Sequence, residues 1–448
     1  MHKAGPEAER ALDSPSRLPD PPIRRLARPF VRFLQIESAS GVVLLICTAA
    51  ALGLANSPWA EAFRGFWQTH LRIGIGPWGL DESLLHWVND ALMTIFFFVV
   101  GLEIKREIVA GELRDPKKAA LPVMAALGGM IAPASIYWLL LGGQPGASGW
   151  GIPMATDIAF VVGFLALLGP RVPFGLKILL LSLAIADDLG AVLVIAVFYS
   201  TNISLGALLL AALGFGVTYF LNCLGVRRVA IYVVVGAFIW LAFLKSGIHP
   251  TVAGVLLGLL TPASAWVGER ALIDVVADVL NSLRADQDGK PEYHHRPLLG
   301  QLEMAAREST SPLERLEASL HPWVAFIIMP VFALANAGVS IELGALGHPV
   351  ALGVAAGLVV GKPLGILVFS WLAVSVGLAR LPSGVTWQVM LGAGCLAGIG
   401  FTMSLFVAGL ALDGELLDAS KIGTLAGSAL SAIPGCILLL AFLPRRAA

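Results

Sequence analysis

Ala184-Ile185-Ala186-Asp187-Asp188-Leu189 sets two adjacent carboxylates in the middle of an apolar run from Leu176 to Tyr199. A run of that length crosses a bilayer as a helix, with its centre near the midplane. One ionisable side chain at that depth costs roughly 2.5–3.5 kcal/mol on insertion scales, and such residues line ion or proton pathways. A second one beside it adds like-charge repulsion. A helix that only had to span the membrane would not carry this pair, so the fold to expect is a membrane bundle with a charged interior.

The surrounding chain agrees. Of its 448 residues 57% are hydrophobic and 13% charged, against about 25% charged in an average globular domain. The composition is that of an all-α polytopic membrane protein rather than of several soluble domains. The formal net charge is zero, which gives no electrostatic case for binding nucleic acid. The four cysteines, Cys47, Cys223, Cys395 and Cys436, each stand alone in an apolar run. They show neither metal-ligand spacing nor a disulfide framework, and read as small core hydrophobes. No cofactor is called for.

Residues 1–35 contain prolines and seven Lys/Arg but no apolar h-region. They read as a cytoplasmic tail, disordered to about Pro22, and not as a cleavable signal peptide. Twelve spans follow, at about 36–55, 84–104, 119–141, 150–168, 175–199, 203–224, 229–245, 247–262, 322–340, 349–377, 386–411 and 420–443. Residues 36–443 are thus one membrane domain, and 444–448 form a short C-terminal end. Charge tests the count. Counting the lysines at the ends of spans (Lys177, Lys245 and Lys421) with the adjoining segments, 25 of the 30 Lys and Arg fall in alternate segments starting with the tail and 4 in the others, while Lys362 lies deep inside a span. The positive-inside rule then puts both termini in the cytoplasm and requires an even number of crossings. In a bacterium this means the inner membrane.

Two connections are long. In the outside loop 56–83, Leu71, Ile73 and Ile75 alternate with other residues and run into Gly76-Pro77-Trp78-Gly79, which predicts a small β-hairpin over 71–79. Its free edge is a surface on which a second copy can pair. The cytoplasmic loop 263–319 holds two helical patterns around a polar stretch from Asp286 to Pro297. The second begins with Ser311, Pro312 and Glu314, a capping box with proline at the first helical position. It runs through Arg315 and Glu317 toward His321. The His294-His295 pair reads as solvated rather than metal-binding.

Four spans depart from a plain apolar helix. The fourth opens Gly149-Trp150-Gly151-Ile152-Pro153-Met154-Ala155-Thr156-Asp157, and glycines with a proline predict a break, tolerated only where freed backbone groups face protein or water. Thr156 and Asp157 then lie beside unwound backbone. Carbonyls, a hydroxyl and a carboxylate are the oxygen ligands of a small hard cation. In the fifth, Asp187 and Asp188 lie about 100° apart around the helix, so at least one faces a shared interior. They titrate as a coupled pair, able to hold protons or a cation but not comfortably both. In the tenth, Gly361-Lys362-Pro363-Leu364-Gly365 buries a lysine that needs an acidic partner or must lose its proton. The available partners are Asp157, Asp187 and Asp188. The eleventh, Gly392-Ala393-Gly394-Cys395-Leu396-Ala397-Gly398-Ile399-Gly400-Phe401-Thr402, predicts a second interrupted helix. One glycine-broken span in each half points to an inverted repeat with a site at the midplane.

At these residues the chain resembles the NhaA-type bacterial sodium/proton antiporters, itself one of the type cases of inverted repeats with broken helices. Ala155-Thr156-Asp157-Ile158-Ala159, Ala184 to Gly190, Gly361 to Gly365 and Gly398 to Ser404 match its motifs. So do Val100-Gly101-Leu102-Glu103 and Leu320-His321-Pro322-Trp323. The likeness runs in order from about Arg32 to Leu443. It implies twelve helices, with the fourth and eleventh unwinding to cross near the middle. It implies Asp187 and Asp188 as the carriers of Na⁺ or Li⁺ and of protons, Thr156 and Asp157 as assistants, and Lys362 as a charge partner in proton coupling. It further implies two protons in per cation out, activation at alkaline pH, and a homodimer joined through the outside hairpin. Glu103, Lys105, Glu107, Glu317 and His249 match positions that respond to pH. Three features depart from the family pattern: the tail and the insertion around 286–297 are longer, and Pro250 follows His249 where a small residue is expected.

The expectation is therefore an electrogenic antiporter, not an enzyme, that exports Na⁺ or Li⁺ against entering protons and serves sodium and pH homeostasis. A sodium-coupled organic-anion symporter on a similar fold is the alternative; such a site needs cationic or polar contacts, and Lys362 alone supplies them within the spans. An intramembrane aspartyl protease needs a Gly-x-Gly-Asp motif, which neither acidic site has. A channel fits coupled carboxylates on broken helices less well than stoichiometric exchange.

Overall fold

A computed structural model describes residues 37–75, 78–200, 202–226, 228–285, 295–340 and 343–443. The basic tail, the turn at Gly76-Pro77, most of the polar insertion (including His294) and the residues after 443 lie outside this set. Among the described residues, nine helices are long and apolar enough to cross a membrane, or up to eleven if each of two bent pairs is one span.

The chain begins with α1 (Glu37–Ala55) and turns by 114° into the amphipathic α2 (Ala60–Gln68). Strands β1 (His70–Ile75) and β2 (Trp78–Ser83) then pair antiparallel, with Arg72 opposite Asp81 and Ile73 opposite Leu80. Next come α3 (Leu84–Val109, containing a π-helical turn at Trp87–Leu92) and α4 (Pro116–Leu141). A 3₁₀ segment (Ala147–Met154) and α5 (Ile158–Leu168) follow, then α6 (Phe174–Phe198), α7 (Leu205–Cys223), α8 (Val229–Ser246) and the short α9 (Thr251–Leu260). The connection that follows carries α10 (Glu269–Ala285) and α11 (His295–Glu308), which pack on each other. The last elements are α12 (Pro312–Asn336), α13 (Pro349–Ser375), α14 (Trp387–Ala397), α15 (Phe401–Ala411) and α16 (Gly414–Phe442).

Helix starts follow local chemistry. Asp115 caps α4, with Pro116 at its first position; Asp157 caps α5, Ser204 caps α7 and Thr386 caps α14. Ser311 and Glu314 form both bonds of a capping box. That box starts α12, which continues through Pro322 to Asn336. The sequence pattern put the ninth span at 322–340. The helix expected from Ser311 runs on into it, because Glu314, Arg315 and Glu317 lower the local hydropathy without ending the helix.

At several glycines, helix backbones approach each other directly. On α4 and α13, a Cβ added to Gly128 would collide with the Gly365 carbonyl, and one added to Gly365 with the Gly128 carbonyl. At Gly361 a Cβ would stand 2.6 Å from Pro133 Cα. On α3 and α9, a Cβ at Gly101 would stand 2.5 Å from the Val255 carbonyl, and one at Gly258 2.6 Å from that of Phe98. Such contacts let helix backbones approach where lipid gives no hydrophobic drive. They hold α13, which carries Lys362, directly on α4.

Candidate functional site

The two interrupted segments meet in the interior. Residues 155–157 are extended between the 3₁₀ segment and α5, and Gly398-Ile399-Gly400 separates α14 from α15, with a bend of 48°. A break frees backbone groups that lipid cannot satisfy, and here each break satisfies the other. The Asp157 N–H donates to the Ile399 carbonyl at 2.7 Å, and the Ser404 hydroxyl donates to the Ile152 carbonyl at 2.8 Å. Asp157 Oδ1 accepts from the Phe160 N–H at 3.3 Å, capping α5. Its Oδ2 accepts from the Thr402 N–H at 3.0 Å and from the Thr402 hydroxyl. One carboxylate thus sits at the N-terminal ends of two helices, where the backbone dipoles favour an anion.

Asp187 and Asp188 come from the middle of α6, and Lys362 directly follows a π-helical turn in α13 at Gly357–Gly361. Such turns are frequent at functional sites because they re-aim the next side chain. Thr156, Asp157, Asp187, Asp188 and Lys362 are all between 0% and 3% exposed. Lys362 Nζ lies 2.6 Å from Asp187 Oδ2 and also donates to the Met154 carbonyl. The Thr156 hydroxyl is 2.7 Å from the same Asp187 Oδ2 and 2.9 Å from the Ala397 carbonyl, with one proton to share between them. Of the three carboxylates the sequence left open as partners of Lys362, the fold brings Asp187 to it. Asp187 Oδ1, in contrast, is buried without a hydrogen-bond partner among the described residues. Asp188, the next residue of α6, is buried in the same interior. The site therefore offers a saturated carboxylate oxygen, an open one, and a second carboxylate next to it. That arrangement suits a transient cation of oxygen preference better than a caged one. Among the described residues no group of three or more His, Cys, Asp or Glu is placed to hold a metal ion.

The pH-response candidates fall into two places. Toward the end of α3, Arg106 pairs with Glu317 of α12, and the Glu107 carboxylate accepts from the Glu112 N–H at 3.0 Å. Glu103 and Lys105 precede Arg106 on the same helix. His249 lies elsewhere: its Nε2 is 3.4 Å from Asp90 Oδ1, near the start of α3, and its Nδ1 is 2.8 Å from the Thr251 hydroxyl. Asp90 and Arg106 are sixteen residues apart, about 24 Å of helix at 1.5 Å per residue. Pro250 sits at the N-cap of α9, so the turn after His249 is a helix start.

Three contributors escaped the sequence reading. Thr402 was visible only as part of a motif, Arg106 only as part of a charge run, and Asp90 carried no signal beyond being a carboxylate near a span's start. Their partners, Asp157, Glu317 and His249, lie 245, 211 and 159 residues away.

Residues 31–439 match the family described as Na⁺/H⁺ antiporter 1. The chain is 52% identical to the Na(+)/H(+) antiporter NhaA of Rhodopirellula baltica, over 96% of this chain and 97% of that protein. It is 50% identical to the NhaA of Rhizobium meliloti, over 95% and 98% of the two chains. It is 54% identical to the NhaA 2 of Sorangium cellulosum, over 92% and 90%.

Proposed function

This chain belongs to the Na⁺/H⁺ antiporter family and exchanges sodium for protons across a membrane, and on that footing we propose that Asp187 and Asp188 carry the exchanged ions. The relatives it resembles are transporters rather than enzymes by name. The observation that carries the proposal is the asymmetry of Asp187: Oδ2 holds Lys362 and Thr156, while Oδ1 is buried and open.

A cation arriving from the cytoplasm displaces the proton that Asp188 carried, which leaves to the cytoplasm, and adds to Asp187 Oδ1 and to the freed Asp188 carboxylate. Its charge competes with the Lys362 ammonium for Asp187, and the lysine leaves its partner and gives up a proton. The Thr156 hydroxyl can then turn its proton to the Ala397 carbonyl and present its oxygen to the ion. Asp157, saturated by two helix N-termini, assists by holding the crossing together. On the other side protons return to Asp188 and Lys362, the ion pair re-forms and the cation leaves. Two protons inward per Na⁺ or Li⁺ outward move one net charge, so membrane potential contributes about 2.3 kcal/mol per 100 mV in each cycle. At acidic pH, protons occupy the carriers and exchange falls. Glu103, Lys105, Glu107 and Glu317 adjust this response from the end of α3, and His249 from its start.

The architecture in this reading has twelve crossings in the bacterial inner membrane, with α9 as the shortest and α14–α15 as one broken crossing. Both termini are cytoplasmic, and copies pair through the β1–β2 hairpin. Transport in proteoliposomes tests the carriers. Asp187→Asn and Asp188→Asn should each abolish sodium-driven dissipation of an imposed pH gradient; exchange surviving both changes sinks the assignment.

A further inference from the structure

The 3₁₀ segment before Thr156 is eight residues long, whereas 3₁₀ runs beyond three or four are uncommon. Side chains from three other elements grip its backbone. Tyr137 of α4 donates its hydroxyl to the Gly146 carbonyl at 2.7 Å. Tyr199, just past α6, donates to the Ser148 carbonyl at 2.8 Å and accepts from the Gly151 N–H at 3.3 Å. Ser404 of α15 holds the Ile152 carbonyl at 2.8 Å.

The Tyr199 hydroxyl bridges the Ser148 carbonyl and the Gly151 N–H, groups three residues apart that a 3₁₀ turn brings face to face and an α-helix sends to other partners. In α geometry the Ser148 carbonyl would accept from Ile152, and the Gly151 N–H would donate to Ala147. The glycines of the segment stand where the tyrosines arrive. A Cβ at Gly149 would lie 2.5 Å from the Tyr137 hydroxyl oxygen, and one at Gly151 2.7 Å from that of Tyr199.

Length is what this grip controls. A 3₁₀ helix rises about 2.0 Å per residue and an α-helix about 1.5 Å, a difference of roughly 4 Å over eight residues. The far end of the segment is Met154, whose carbonyl holds Lys362, and two residues on is Thr156, which holds Asp187. We propose that Tyr137 and Tyr199 are positioning residues for the exchange: they keep the segment at its 3₁₀ length and so set the Met154 carbonyl and the Thr156 hydroxyl against Lys362 and Asp187. This rests on the reading of Asp187 and Lys362 as the exchanging groups.

The test uses the full chain in proteoliposomes. Tyr199→Phe keeps the ring and removes both hydrogen bonds. It should raise the apparent KM for Na⁺ about tenfold while leaving the maximal rate within about twofold, because the carriers remain but meet the ion in displaced geometry; a tenfold change corresponds to about 1.4 kcal/mol. Tyr137→Phe should move KM in the same direction. Gly151→Ala should lose transport, and adding Tyr199→Phe should restore part of it, since the oxygen that the new methyl meets is gone. An unchanged KM in Tyr199→Phe overturns the proposal, and so does a fall in rate with KM unchanged. If Gly151→Ala does not fold, the KM of Tyr199→Phe decides alone. The two readings fail separately: exchange persisting in Asp187→Asn removes the carriers, whereas an unchanged KM in Tyr199→Phe with Asp187→Asn inactive removes only the grip.

Discussion

Lys362 is the residue on which the charge arithmetic turns. It is fully buried and bonded to one oxygen of Asp187. Removing one member of such a pair leaves an uncompensated buried charge, which costs about 3–5 kcal/mol. Lys362→Ala therefore confuses loss of fold with loss of mechanism, and Lys362→Arg is the sharper change. A guanidinium keeps the positive charge but does not release its proton in proteins. If Lys362 supplies the second proton, Lys362→Arg exchanges one proton per sodium, and its rate no longer responds to an imposed membrane potential. Transport that still follows the potential would take the second proton away from this lysine. At this scale the sequence marked the buried charges Asp157, Asp187, Asp188 and Lys362, because a charge inside an apolar run is conspicuous wherever it falls. It could not say which carboxylate the lysine meets, since α6 and α13 are brought together by α4 and not by anything local to Asp187 or Lys362.

Among the elements, the breaks were legible and their form was not. Gly149, Gly151 and Pro153 announce one interruption and the glycines from 392 to 400 the other, because both residue types remove support from an α-helix. The 3₁₀ form of 147–154, whose backbone meets Tyr199 and Ser404, and the π-turn before Lys362 leave no periodic trace. The close approach of α4 and α13 is similar: Gly128 and Gly365 look like any other small residues until they face each other. It gives a direct expectation. Gly128→Ala forces a methyl against the Gly365 carbonyl, and overpacking of this kind costs about 1–3 kcal/mol. Thermal unfolding of the purified protein should show a clearly lower Tm than wild type. An unchanged Tm would mean that the two helices have room between them.

On the scale of the whole molecule, α1 and α12 pack together and are tied just past their ends, the Asn56 side chain donating to the Val339 carbonyl at 2.9 Å. The β1–β2 hairpin follows closely on that end. Deleting residues 70–83 and rejoining the chain should leave a monomer that still exchanges sodium for protons, as read by native mass spectrometry beside a transport assay; a dimer that survives the deletion must be joined elsewhere. The glycine contacts carry a consequence for motion. Where backbones meet at glycines there is little side-chain surface on which to slide, so shear of α4 against α13, and of α3 against α9, is opposed at these contacts. A motion that parted Lys362 from Asp187 by sliding α13 along α4 would have to work against that resistance.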